Sequence, residues 1–123
     1  MKYNLLGETD IKVSNYCLGT MTFGEQTNER DAHLQMDKAF DAGINFFDTA
    51  EMYSTCPIRA ETAGKTETII GSWIKNNANL RNKLVIATKV IGNEYSFIRD
   101  GGPINSKSIK VALEGSLRRL NTD

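Results

Sequence analysis

The chain has 123 residues, 40% of them hydrophobic and 24% charged, and its formal net charge is zero. That composition belongs to a soluble globular protein of one domain or part of one, and it offers no basic field for nucleic acid or an anionic membrane. The longest apolar runs, such as LVIA at 84–87, are far too short to span a bilayer, and MKYNLLGETD lacks the apolar core of a signal peptide, so the expected setting is cytoplasmic.

The first segment, KYNLLGETDIKV, reads as two short extended pieces around Gly7, Glu8, Thr9 and Asp10, which predicts a β-hairpin. NYCLGT at 15–20 is a short apolar strand, with Cys17 expected to be buried inside it as a small hydrophobe. MTFGEQTN then breaks the pattern as a loop. Asn28 can cap a helix, and Ala32, Met36, Ala39 and Phe40 recur at helical spacing, which predicts a helix over 29–42 stopped by Gly43. INFFDT follows as a strand apolar on both sides, the kind found in parallel sheets covered on both faces. After a polar loop over 49–65, Thr66 is expected to cap a second helix whose buried stripe is Ile69, Ile70, Trp73 and Ile74. KNNANLRNK reads as polar linkage and LVIATK, 84–89, as a third apolar strand. A second long loop covers 90–105, with no chemistry expected of IRDGGP. Ser106 is then expected to cap a third helix with Ile109, Leu113, Leu117 and Leu120 on its buried face.

The order is therefore a hairpin followed by three β-α pairs. Strands starting near 16, 44 and 84 are spaced by 28 and 40 residues, which brackets the roughly 31 residues per unit of a (β/α)₈ TIM barrel. A Rossmann fold alternates in the same way, but LGTMTFGEQTN is not a G-x-G-x-x-G phosphate turn. With one His and no Cys pair at ligand spacing, no metal site is expected, and Cys17 and Cys56 are read as reduced thiols.

In an α/β barrel the working face is the C-terminal end of the strands. Here three strands end in polar residues: Gly19-Thr20, Asp48-Thr49 and Thr88-Lys89. Adjacent parallel strands lie about 4.8 Å apart, so Asp48 and Lys89 can pair across the mouth, and Tyr53, five residues on, can fold back over them. A free phenol, with a pKa of about 10, is too weak an acid to protonate a substrate oxygen readily. A neighbouring ammonium favours the phenolate, by about 4 kcal/mol at ~4 Å and an effective dielectric of ~20, or about 3 pKa units as an upper guide. Asp48 would hold Lys89 charged and in place, and Tyr53 becomes a tuned general acid. An acid beside a cation with no nucleophile suits hydride addition to a carbonyl, where charge builds on oxygen and the hydride must come from a bound cofactor.

On these residues the chain resembles the aldo-keto reductases. CLGTMTFG, AFDAGINFFDTAEMY, GKTETIIGSWIK, LVIATKV and SLRRLNTD are similar, in order, to that family's successive N-terminal motifs. GTMTFGEQTN and TAEMY resemble most the bacterial Tas-like subgroup, related to potassium-channel β subunits. The resemblance implies a (β/α)₈ barrel, its entrance hairpin closing the bottom, and NADPH-dependent reduction of small aldehydes and ketones without metal. It places Asp48, Tyr53 and Lys89 on three of four catalytic positions, with Tyr53 the proton donor. It sets Gly19, Thr20 and Met21 on a turn touching the nicotinamide end of the cofactor, and Asp48 near its ribose.

The family's fourth catalytic residue is a His ending strand four, which should begin just after Asp123. His33, the only His, lies in the first helix and cannot replace it. Residues 1–123 are accordingly expected to be the N-terminal portion of such a barrel, the hairpin plus the first three β/α units, truncated and inactive alone. The alternative is a non-catalytic binding or assembly module, or half of a split barrel, that self-associates through open sheet edges. Trp73 is expected in the core, Arg118 and Arg119 on a solvated helix face, and Met52 and Cys56 in an unremarkable loop.

Overall fold

The computed structural model describes residues 1–123. Strands β1 (Tyr3–Leu5) and β2 (Lys12–Ser14) form the antiparallel hairpin, with Tyr3 opposite Ser14. Three parallel strands follow in the order β3 (Leu18–Gly19), β4 (Phe46–Asp48) and β5 (Val85–Ala87). Each is succeeded by a helix: α1 (Glu29–Asp41), α2 (Lys65–Asn76) and α3 (Ser106–Leu120). The fold is α/β, a hairpin and three β/α units of a (β/α)₈ barrel, with an open sheet.

Helix starts follow from capping chemistry, and two of the three differ from expectation. Asn28 caps α1 as predicted, its side chain accepting the Asp31 N–H at 3.0 Å. Gly43, at φ +89°, turns the chain out of α1 in a conformation that side chains resist. For α2 the cap is Gly64 rather than Thr66. Thr66 lies within the first turn, fully buried, and its hydroxyl donates to the Phe23 carbonyl at 2.7 Å, tying α2 to the β3–α1 loop. For α3 the cap is Asn105 rather than Ser106. Its carboxamide accepts from the Lys107 and Ser108 N–H groups while the Ser108 hydroxyl accepts the Asn105 N–H, a closed capping box.

The core lies between the sheet and α1 and α2. Trp73 packs on Phe47 and Phe40, ring centres 5.8 and 6.5 Å away, and its indole N–H donates to Asp37 at 2.7 Å. Met36, Ile70, Ile74 and Leu84 complete it. Because side chains alternate along a strand, burying Phe47 among the helices turns Phe46 and Asp48 to the other face of the sheet. Cys17, by contrast, precedes β3 and is exposed, so the burial expected of it does not occur.

The expected buried stripe of α3 is rotated. Ala112, Gly115, Ser116 and Leu120 are buried, whereas Ile109 and Leu113 are exposed. At its C-terminal end α3 lies directly against α2: a Cβ placed on Gly71 would stand 2.0 Å from the Arg119 carbonyl oxygen. Only glycine fits at that position. Arg119, expected on a solvated face, instead reaches fully buried Glu67, its Nε 2.7 Å from Oε2, and Thr88 donates to the same carboxylate at 2.6 Å. KNNANLRNK is not bare linkage either, since α2 runs to Asn76 and a 3₁₀ segment covers Ala78–Lys83.

Gly71→Ala is expected to destabilise the chain by about 1–3 kcal/mol through overpacking, read as a lower urea midpoint. Ala112→Gly, which adds no atoms to the buried face of α3, should produce no clash, and its cost should stay near the helix-propensity loss of about 1 kcal/mol.

Candidate active site

Asp48 ends β4 opposite Gly19 of β3 and Ala87 of β5. Pairing continues past the strand ends. The Thr49 N–H donates to the Ala87 carbonyl at 2.8 Å and the Glu51 N–H to the Lys89 carbonyl at 3.1 Å. On the other side, the Thr20 N–H and hydroxyl both donate to the Asp48 carbonyl, at 3.2 and 2.7 Å. This extended ladder brings Lys89 beside Asp48, with Nζ 2.7 Å from each carboxylate oxygen. Lys89 Nζ also lies 4.9 Å from the centre of the Tyr53 ring, a cation–π contact. The three residues read from the sequence as a set are therefore together, at the C-terminal end of the parallel strands.

The Lys89 and Asp48 side chains are 47% and 38% exposed. An ion pair in that much water contributes about 0–1 kcal/mol, so this one is not what holds the sheet together. Burial alone would favour neutral Lys89 and is the largest single influence on it; the hydrogen bond to Asp48 and the neighbouring Tyr53 together outweigh it, and its pKa is raised. Lys89 is a cation throughout the neutral range.

Tyr53 rides on the loop between β4 and α2. Its N–H donates to the Ala50 carbonyl at 3.1 Å, and its carbonyl accepts the Thr66 N–H at 3.3 Å, anchoring the loop to the first turn of α2. The Thr55 N–H donates to the Met21 carbonyl at 2.8 Å, which fastens the same loop to the turn after β3. Beside the trio is a cleft of about 280 Å³ lined by Met52, Tyr53, Lys89, Val90 and Glu94. Met52 thus borders the site, while Cys56 does not.

The turn residues differ in what they offer. Gly19 is exposed, and a Cβ built there would meet nothing within 4 Å; Met21 is exposed as well. Thr20 is fully buried with its hydroxyl committed to Asp48, so it shapes the turn and has no free side chain to present. Cys17 lies close enough to feel the site: although the residue is exposed, partial desolvation of its thiol and then the Asp48 carboxylate raise its pKa, and Lys89 partly offsets them.

Two site-adjacent residues were not legible in the sequence. Glu51, between Asp48 and Tyr53, is buried, and Arg99, in the IRDGGP turn, closes on it with Nη2 2.6 Å and Nε 3.1 Å from its carboxylate. That hydrogen bonding raises the Arg99 pKa still further. Only an acidic residue set among the buried positions Ala50 and Thr49 hinted at such a partner. No group of three or more His, Cys, Asp or Glu side chains is placed to hold a metal ion, and no helix is long and apolar enough to cross a membrane.

Comparison with known proteins agrees with this geometry. The profile of the aldo/keto reductase family matches residues 15–123. Protein tas of Escherichia coli (strain K12) is 47% identical over the whole chain, and the uncharacterized oxidoreductase YrpG of Bacillus subtilis (strain 168) is 44% identical. The chain spans 36% and 37% of the length of these two relatives. Among solved structures, the holo form of aldo-keto reductase AKR11C1 from Bacillus halodurans superposes with a TM-score of 0.76 at 35% identity, over all of this chain and 37% of that one. The thermostable aldo-keto reductase Tm1743, solved with the inhibitor epalrestat, gives 0.76 at 27% identity, over all of this chain and 40% of its own. With profile, relatives and superposed structures in agreement over nearly its full length, the chain belongs to the aldo/keto reductase family.

Proposed function

We propose that residues 1–123 are the N-terminal portion of an aldo/keto reductase barrel, a cytoplasmic enzyme reducing small aldehydes and ketones with NADPH. The observation that carries this reading is the Asp48–Lys89 pair beneath the Tyr53 ring at the C-terminal end of the strands. The pair adds little to stability, so its placement calls for a chemical reason.

The chain fits one end of such a cofactor. Exposed Gly19 and Met21 leave an open surface beside the carboxylate of Asp48, a suitable acceptor for ribose hydroxyls. NADPH, when bound, supplies the hydride. The protein's part is to handle oxygen. Lys89 places a fixed positive charge where a carbonyl oxygen gathers negative charge, which lowers the barrier by electrostatic stabilisation. Asp48 keeps that ammonium charged and aimed. Tyr53 gives its phenolic proton to the oxygen, and the adjacent ammonium stabilises the phenolate left behind. His33 takes no part: on α1, its Nε2 lies 2.9 Å from the Ser72 hydroxyl in the contact with α2.

An open sheet supports a second reading, an assembly module. The outer edges of β3 and β5 carry no strand partner, and unpaired edges invite pairing with another chain. Size-exclusion chromatography of the chain at micromolar concentration is expected to show self-association; a monomer with a sharp, reversible thermal transition would contradict it.

For the reductase reading, the chain alone is expected to consume no NADPH with 4-nitrobenzaldehyde. Grafted in place of the matching segment of AKR11C1, it should support reduction, and Tyr53→Phe should lower kcat by about 10²–10⁴-fold, the usual worth of a general acid. Full activity in the Tyr53→Phe graft would sink this assignment.

Because the folded Lys89 pKa is raised above its ordinary 10.5, the pair, wherever Asp48 is ionised, contributes its stability fully below that value and loses it as pH climbs through the folded pKa. NMR titration of the lysine ε-carbon should therefore place Lys89 above 10.5, and Asp48→Asn should bring it down.

A further inference from the structure

The trio does not set its own spacing. Tyr53 and Lys89 stand on two different loops, and an exposed ion pair is too weak to fix one loop against the other. Something behind the site must do so, and the buried pair Glu51–Arg99 stands there.

Glu51 lies between Asp48 and Tyr53 in the chain and makes three kinds of contact with the loop that follows β5 and carries Lys89. Its N–H donates to the Lys89 carbonyl at 3.1 Å. Its Oε1 accepts the Ile91 N–H at 2.7 Å. Its carboxylate accepts from Arg99 Nη2 and Nε at 2.6 and 3.1 Å. Arg99 Nη2 also donates to the Ile91 carbonyl at 2.6 Å, so both polar groups of the Ile91 backbone are held by this one pair. The Glu51 side chain is 3% exposed and that of Arg99 15%, so water competes little for these bonds. Arg99 and the next residue, Asp100, sit at φ +49° and +57°, conformations that cost side chains energy and persist where surrounding contacts over-determine them.

We propose that Glu51 and Arg99 are positioning residues for the carbonyl chemistry: together they clamp the Lys89–Ile91 backbone to the loop carrying Tyr53, and so set the distance between ammonium and phenol. Neither side chain reaches the reacting atoms. Their effect runs through the backbone on either side. This rests on the reductase reading for the roles of Tyr53 and Lys89, but the clamp itself is testable without turnover.

The test compares the natural chain with Glu51→Gln/Arg99→Met, which removes both charges and leaves no unpaired one buried, and with Arg99→Lys, which keeps the charge but loses the forked contact. Amide hydrogen exchange is followed at Ile91 and at the core positions Ile70 and Ile74, together with the NMR titration of Lys89. In the double variant, Ile91 exchange is expected to rise at least about tenfold with Ile70 and Ile74 unchanged, and the Lys89 midpoint should fall toward that of an unpaired lysine. Arg99→Lys, the milder change, should show the same pattern in smaller degree and serves alone if the double variant does not fold. Unchanged Ile91 exchange would overturn the proposal. So would faster exchange spread evenly over Ile70, Ile74 and Ile91 with Lys89 titrating as before, because the pair would then serve stability only. Failure of the reductase reading shows separately, as a Tyr53→Phe graft of full activity, and leaves these readouts standing.

Discussion

Everything in this structure that bears on chemistry depends on the parallel register of β4 and β5. Phe46 faces Val85, Phe47 faces Ile86 and Asp48 faces Ala87. A slip by one residue would turn Phe47 out of the core and Asp48 into it. The register is held from the helical side, where Phe47 packs under Trp73, and prolonged from the loop side, where Thr49 and Glu51 continue the ladder to Ala87 and Lys89. Hydrophobic packing on one face of the sheet thereby decides which polar atoms meet on the other.

The charges divide into two kinds with different work. Glu67–Arg119 and Glu51–Arg99 place carboxylates in surroundings nearly free of water, where losing one partner would strand the other at a cost of about 3–5 kcal/mol. The first joins α2 to α3, and the second joins the two loops behind the site. Asp48–Lys89 is wet and energetically minor by comparison. The helices matter to this arrangement in a simple way: Thr66 at the start of α2 caps no helix N–H but donates to both the Tyr53 carbonyl and the Phe23 carbonyl, so the Tyr53 loop is tied to the helix beneath it.

Much of the fold was legible because its signals are local. Apolar runs marked the strands, the 3.6-residue spacing of Ala32, Met36 and Ala39 marked α1, and Asn28 with Gly43 marked its ends. What misled were positions where two candidates stood side by side. Gly64 against Thr66 and Asn105 against Ser106 were decided by backbone conformation and by what else each side chain could reach. On α3 the apolar spacing pointed to Ile109 and Leu113, yet the buried face is the one with Ala112, Gly115, Ser116 and Leu120, a rotation fixed by contacts with α2 such as Glu67–Arg119 and the approach of Gly71 to the Arg119 backbone.

By itself the sequence determined the order of elements, the family, and the grouping of Asp48, Tyr53 and Lys89, since strand ends and short intervals along the chain can be read without coordinates. Only the tertiary structure decided that Thr20 is sealed away, that Cys17 is exposed, and that Glu51 meets Arg99. The last pair lies 48 residues apart in sequence, and contacts over such distances are set by how loops return across a folded sheet. Periodicity and spacing carry no record of that.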